Sequence, residues 1–281
     1  MSSKNLPERA QRFVPHRAPV LMLRELTVCD GESAGGTAWI PKSSPYQAMG
    51  MLSRTFFVEL LAQLIAAAQG YREDEAQTTP SRGYLVGVRQ FDCCGDAYGG
   101  DSLNLYIRRT NQVEGLNISE GKITRAEELL AIGELRCILV ASTLRPSLAA
   151  VDSGETEANS FGDVISRSME IVFLDAAAGR AEADVCFAPK APVFAGHFPD
   201  RPVVPGFVWL ETGLILAKTL LSEKVTLRKI LSARFKKSLG PDEIARIELD
   251  VKSHTKEVFV ISRIISQKTL AATFELSMEY I

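Results

Sequence analysis

FAGHFPDRPVVPGFVWLETGLILAKTLL, residues 194–221, is the stretch on which the fold turns. Gly196, Pro199, Pro202 and Pro205 interrupt any regular period, so residues up to 205 read as a stiffened loop. Pro205-Gly206 then marks a helix start. From Gly206 onward the segment is apolar on nearly every side, with Glu211 as the one acid within it. A helix without a wet face has to be enclosed, and a sheet curled around a single central helix would enclose it.

The same pattern occurs earlier in the chain. RTFFVELLAQLIAAAQGY, 54–71, predicts a second all-round apolar helix from about Ser53 to Tyr71, again with one carboxylate, Glu59. A charge in such a run costs free energy unless it is paired, wet or protonated, which makes Glu59 and Glu211 candidate functional acids. Strand-like pieces surround both helices. In the first half they are Val20 to Val28, Gly36 to Ile40, and the alternating runs 84–91, 102–109, 116–125 and 129–140. In the second they are MEIVFLDAAAGRAEADVCF (169–187), two strands about a Gly turn, then 244–254, 257–266 and 271–281. Each half thus reads as two strands, one long helix and an antiparallel meander. Between them RPSLAAVDSGETEANSFG has no period and reads as a linker. The expected division is 1–144, linker 145–162, and 163–281, each half large enough for its own core.

Composition narrows the function classes. Of 281 residues 46% are apolar and 23% charged, the balance of an ordinary globular protein. Thirty-two basic against thirty-four acidic residues, net charge −2, provide no field for a polyanion, so no nucleic-acid partner is expected. Five cysteines, two of them adjacent at Cys93 and Cys94, show neither a disulfide framework nor zinc-ligand spacing. The start MSSKNLPERAQRFVPHR lacks an apolar signal core, and Glu59 and Glu211 interrupt the longest apolar runs. The expectation is a cytoplasmic protein with no membrane span.

The chemistry gathers at His197. A proline-stiffened loop can hold its imidazole, which can remove a proton from carbon beside a carbonyl. The first amides of the following helix, Gly206 above all, lack internal partners and can polarise that carbonyl. A carboxylic acid kept neutral by apolar surroundings can protonate a departing hydroxyl. These parts suffice to dehydrate a 3-hydroxyacyl thioester.

Residues 194–211 resemble the active-site segment of the hotdog-fold 3-hydroxyacyl-acyl-carrier-protein dehydratases: Gly-His-Phe-Pro, further prolines, Pro-Gly, and an acid fourteen residues after the histidine, here His197 and Glu211. FKKSLGPDEI, 235–244, is similar to the family's basic Pro-Gly-Asp segment, with the order changed to Gly240, Pro241, Asp242. This likeness covers about 165–281. The first half is similar to the dehydratase-like partner proteins of aryl-polyene and related polyketide pigment pathways, through VPHRAPVLML (14–23), VELLAQLIAAAQG (58–70) and GYLVGVRQF (83–91). It departs at the decisive place, since fourteen residues before Glu59 stands Pro45 and SSPYQAMG holds no histidine.

The resemblance implies an α+β double hotdog, two curved antiparallel sheets each wrapping a long helix and joined as a pseudo-dimer within the chain, with further homo-oligomers open. Such units pair crosswise, so it implies His197 with Glu59 as the complete site and the Gly206 amide as carbonyl-polarising group. Glu211 would face Pro45 and Tyr46 in a baseless second pocket, with a lesser part as alternative acid. Phe198, Phe207, Phe56 and Leu60 would line an acyl tunnel. Arg201, Arg234, Lys236 and Lys237 would dock an acyl carrier protein whose phosphopantetheine bears the substrate, with no metal or redox cofactor. His16, Arg17 and His254 are assigned to the sheet edge or the entrance. The rival readings are an acyl thioesterase and a non-catalytic acyl-binding subunit of a synthase.

Overall fold

The computed structural model describes residues 6–141 and 160–281, so the part of the expected linker from 145 to 159 lies outside the described residues. The first half contributes β1 (Glu8–Arg9), β2 (Leu23–Cys29), β3 (Ser33–Trp39), a small hairpin of β4 (Gln47–Ala48) and β5 (Met51–Leu52), and helix α1 (Phe56–Glu75). Four long strands follow, β6 (Ser81–Cys93), β7 (Ser102–Val113), β8 (Leu116–Arg125) and β9 (Glu128–Ala141). The second half contributes α2 (Phe161–Arg167), β10 (Met169–Asp175), β11 (Arg180–Val185), α3 (Gly206–Leu221), β12 (Val225–Phe235), β13 (Ala245–His254), β14 (Glu257–Ser266) and β15 (Thr269–Tyr280).

Thirteen of these strands form one antiparallel sheet, ordered β1-β2-β3-β7-β8-β9-β6-β12-β15-β14-β13-β11-β10. Outward from the β6 and β12 junction the two sides repeat: each has its meander, then the strand pair that precedes its helix. Helix α1 packs on β2, β3 and β6 to β9, and α3 on β11, β12 and β13, while the two helices also touch each other. Phe56, Phe57, Leu60 and Leu61 of α1, and Val208, Leu210 and Leu216 of α3, are wholly buried. Each such side chain is worth about 2 kcal/mol of transfer free energy, which is why helices without a polar face end up enclosed.

The seam is β6 on β12, in register from Asp92 with Lys229 to Gly87 with Arg234, and an ion pair of 3.2 Å between Lys229 and Asp92 closes one end. β12 was not anticipated. Register shifts between Leu227 and Lys229 and between Ile230 and Ser232 displace its buried residues from strict alternation, so the run does not announce a strand. Further contacts knit the halves. Arg54 pairs with Asp96 at 2.7 Å and donates to the Leu227 carbonyl at 2.7 Å. The amide of Arg17 donates to the Gly196 carbonyl at 3.0 Å.

Three boundaries differ from expectation. Helix α1 begins at Phe56 and continues through Glu75, one turn beyond Tyr71. Residues 160–162, expected in the linker, start α2, where Ser160 and Asp163 form a reciprocal capping box. The Phe161 amide then donates to the Pro45 carbonyl at 2.6 Å, anchoring the second half on the loop before α1.

Candidate active site

Glu59 stands in the first turn of α1, and Gln63 one turn later lies on the same face. The Gln63 side chain has one possible orientation. Its Oε1 accepts from the amides of Met22 and Leu23, each at 3.3 Å, so its Nε2 is the donor, to the Val20 carbonyl at 2.9 Å and to Glu59 Oε1 at 2.8 Å. The helix carboxyl is thereby fixed against the chain entering β2. That same segment carries His16, whose Nε2 lies 3.5 Å from Glu59 Oε1.

His197 arrives from the other half. Gly196 sits at φ +79°, and a Cβ there would come within 2.0 Å of the Arg17 carbonyl oxygen, so only glycine lets the two loops close on each other. This contact seats the His197 ring 5.3 Å, centroid to centroid, from that of His16. Phe198 stacks on His197 at 4.1 Å and meets His16 edge-on at 4.9 Å. One ligand atom from each of His16, Glu59 and His197 lies within 4.8 Å of the others, and all three residues are buried.

The protonation states follow from these surroundings. Burial lowers the His197 imidazole to about 4, with the Val203 carbonyl opposing. The ring is therefore neutral near pH 7. Since a carbonyl can only accept, the 3.1 Å contact to Val203 places the hydrogen on Nδ1 and leaves Nε2 as the basic nitrogen. His16 is held well below the ordinary imidazole range by burial, reinforced by His197, Arg17 and Arg82. Burial moves Glu59 the other way, up to about 7, against the Gln63 amide. A neutral base and a substantially protonated acid thus coexist near neutrality.

His16, Glu59 and His197 line one cavity of about 370 Å³, together with Gly206, Phe198 and Trp209. Gly206 begins α3, so the free amides of that helix terminus adjoin the cavity. Arg201 and Lys236 are exposed lining residues and mark the open end, with Lys237 beside them. Arg82 covers Phe198 at 5.2 Å and pairs with Asp200 at 2.6 Å. Cys137 also lines the cavity, but burial pushes its thiol up to about 12, so it is not a ready nucleophile.

Several expected positions differ. Phe56, Phe207 and Leu60 do not line this cavity; they are fully buried. Phe56 and Phe207 pack edge-on at 5.0 Å and share an aromatic cluster with Tyr46 and Phe161, because large apolar rings find more contact in the core than along a channel. Arg234 is exposed on β12 beside Gly87 and also stands outside the lining. Glu211 is engaged by neither Pro45 nor Tyr46: the hydroxyls of Ser53 and Thr55 donate to its Oε2 at 2.5 and 2.7 Å. His16, assigned to an edge or entrance, is inside the cluster. The Pro-His-Arg string and the four-residue spacing of Gln63 from Glu59 were the sequence signals for the neighbours of Glu59.

Residues 8–144 match the ApeP-like family, described as ApeP dehydratase, and residues 175–274 match the ApeI-like family, described as ApeI dehydratase. The two matches fall in separate halves of the chain and do not overlap. The 3-hydroxyacyl-[acyl-carrier-protein] dehydratase FabZ of Xanthomonas oryzae pv. oryzae (strain PXO99A) is 32% identical over 91 residues, covering 29% of this chain and 60% of the relative. The chain therefore spans about 60% of the length of such curated relatives. A putative oleoyl thioesterase from Lactobacillus plantarum aligns with TM-score 0.60 at 9% identity, over 89% of this chain and 95% of its own. A hot dog fold protein of unknown function from Alicyclobacillus acidocaldarius aligns with TM-score 0.56 at 9% identity, over 91% and 95%. These likenesses establish the hotdog fold alone. No helix among the described residues is long and apolar enough to cross a membrane.

Proposed function

We propose that the chain is a hotdog pseudo-dimer, 1–144 and 160–281 joined by 145–159, that eliminates water from a (3R)-hydroxyacyl thioester to give the trans-2-enoyl thioester. The observation that carries this reading is the meeting of His197 from the ApeI-like half and Glu59 from the ApeP-like half in one buried cluster. Bare Nε2 of His197 takes the proton from C2, and the electron pair of that C–H bond becomes the C2–C3 double bond. The C3–O bond breaks as Glu59 gives its proton to the departing hydroxyl, which leaves as water. The Gly206 amide polarises the thioester carbonyl while charge develops on its oxygen. No metal or redox group takes part in these steps.

The substrate is proposed to ride on the phosphopantetheine of an acyl carrier protein, with Arg201, Lys236 and Lys237 at the open end receiving the acidic carrier. A polyene or related pigment pathway is the expected setting, through the ApeP-like half. The decisive experiment follows enoyl absorbance and free thiol together, on 3-hydroxyacyl-carrier protein, for the wild type, His197→Ala and Glu59→Gln. Enoyl formation lost in both variants supports the reading. Thiol release without enoyl product replaces it with thioester hydrolysis, and binding without either product replaces it with an acyl-binding role.

A further inference from the structure

The elimination leaves the site out of balance: His197 carries a proton and Glu59 lacks one. Both groups are buried, Glu59 at 4% and His197 at 9% exposure, and Phe198 covers the imidazole face. We propose that His16 returns the proton, taking it from protonated His197 onto Nε2 and releasing it from that same nitrogen to the Glu59 carboxylate.

Three observations carry this inference, which rests on the dehydratase reading above. His16 Nε2 already faces Glu59 Oε1 at 3.5 Å. Its ring lies 5.3 Å from that of His197, inside a triangle whose donor atoms are all within 4.8 Å. Its Nδ1 is buried and makes no hydrogen bond among the described residues, so the second nitrogen is unspent. A purely structural buried histidine normally engages both nitrogens. Weak basicity, imposed by burial and the cations Arg17 and Arg82, suits a carrier that must not retain the proton. The step balances: one N–H breaks on His197 as one forms on His16 Nε2, that N–H then breaks as an O–H forms on Glu59, and His16 ends neutral in the tautomer in which it began.

The test separates the first turnover from the later ones. With enzyme in excess, His16→Gln should slow enoyl formation far less than Glu59→Gln does, since the first elimination draws its proton transfers from His197 and Glu59. With substrate in excess, kcat should fall about tenfold or more, and added imidazole should restore it in the variant while leaving the wild type unchanged. His16→Asn, assayed the same way with a melting curve, serves if glutamine at position 16 compromises folding. Equal loss in the first turnover, an unaltered kcat, or no response to imidazole overturns the proposal. A wild type that makes no enoyl product overturns the dehydratase reading instead.

Discussion

Glu59 and Glu211 occupy the apolar runs of two equivalent helices and meet different fates. Glu211 Oε2 receives hydroxyl donors from Ser53 and Thr55, residues just ahead of α1, and is bound into the junction. Glu59 receives one amide from its own helix and otherwise faces two imidazoles and a cavity. Two hydroxyl donors tie Glu211 into the junction, whereas Glu59, left short of donors in an apolar setting, retains its proton and can give it away. The two sites differ less in their acids than in the loops opposite them.

The largest expected contrast is kinetic. Glu59→Gln should lower enoyl formation by about a hundredfold to ten-thousandfold, the range for loss of a general acid, while Glu211→Gln changes kcat less than about threefold. Comparable losses in both would erase the distinction drawn between them. The pH profile sharpens it: activity needs neutral His197 and protonated Glu59, so log kcat should hold between about 4 and about 7 and decline above 7. A profile still rising beyond 7 would remove Glu59 from the acid's role.

Stability separates the pair in the opposite direction. The folded-state value of Glu59 is raised from 4.5 to about 7, so its ionisation opposes folding progressively as pH rises between those values and fully above them. Replacing it by Gln should therefore raise the melting temperature at pH 8, by up to about 3 kcal/mol of relieved cost, and leave it unchanged near pH 4. Glu211→Leu should instead destabilise by about 1–3 kcal/mol, since it removes the acceptor of the Ser53 and Thr55 hydroxyls and leaves them only each other. Thermal melts of both variants at the two pH values check these signs.

How far the sequence could be read depended on how local each signal was. The α3 boundaries, Gly206 to Leu221, were legible because Pro-Gly opens the helix and an unbroken apolar run continues it. β12 was illegible because its two register shifts scramble the period by which a strand is recognised, although it is the strand that joins the halves. His16 is not legible as a site residue because a lone histidine between prolines carries no sign of the partner it will face. Phe56, Phe207 and Leu60 show the converse: an apolar residue on a central helix reads the same whether it lines a channel or fills the core.

The amino-acid sequence by itself determined the two enclosed helices, their strand-rich surroundings and the absence of a histidine ahead of the first helix, because these follow from hydrophobic period, backbone restriction and residue identity over short spans. Only the tertiary structure decided which carboxylate would share a cavity with His197, that His16 would complete the cluster, and that Ser53 and Thr55 would occupy Glu211. Those outcomes depend on separations set by the β6 and β12 seam and by the closure of Gly196 on Arg17, and proton affinity in a buried site follows from such separations rather than from order along the chain.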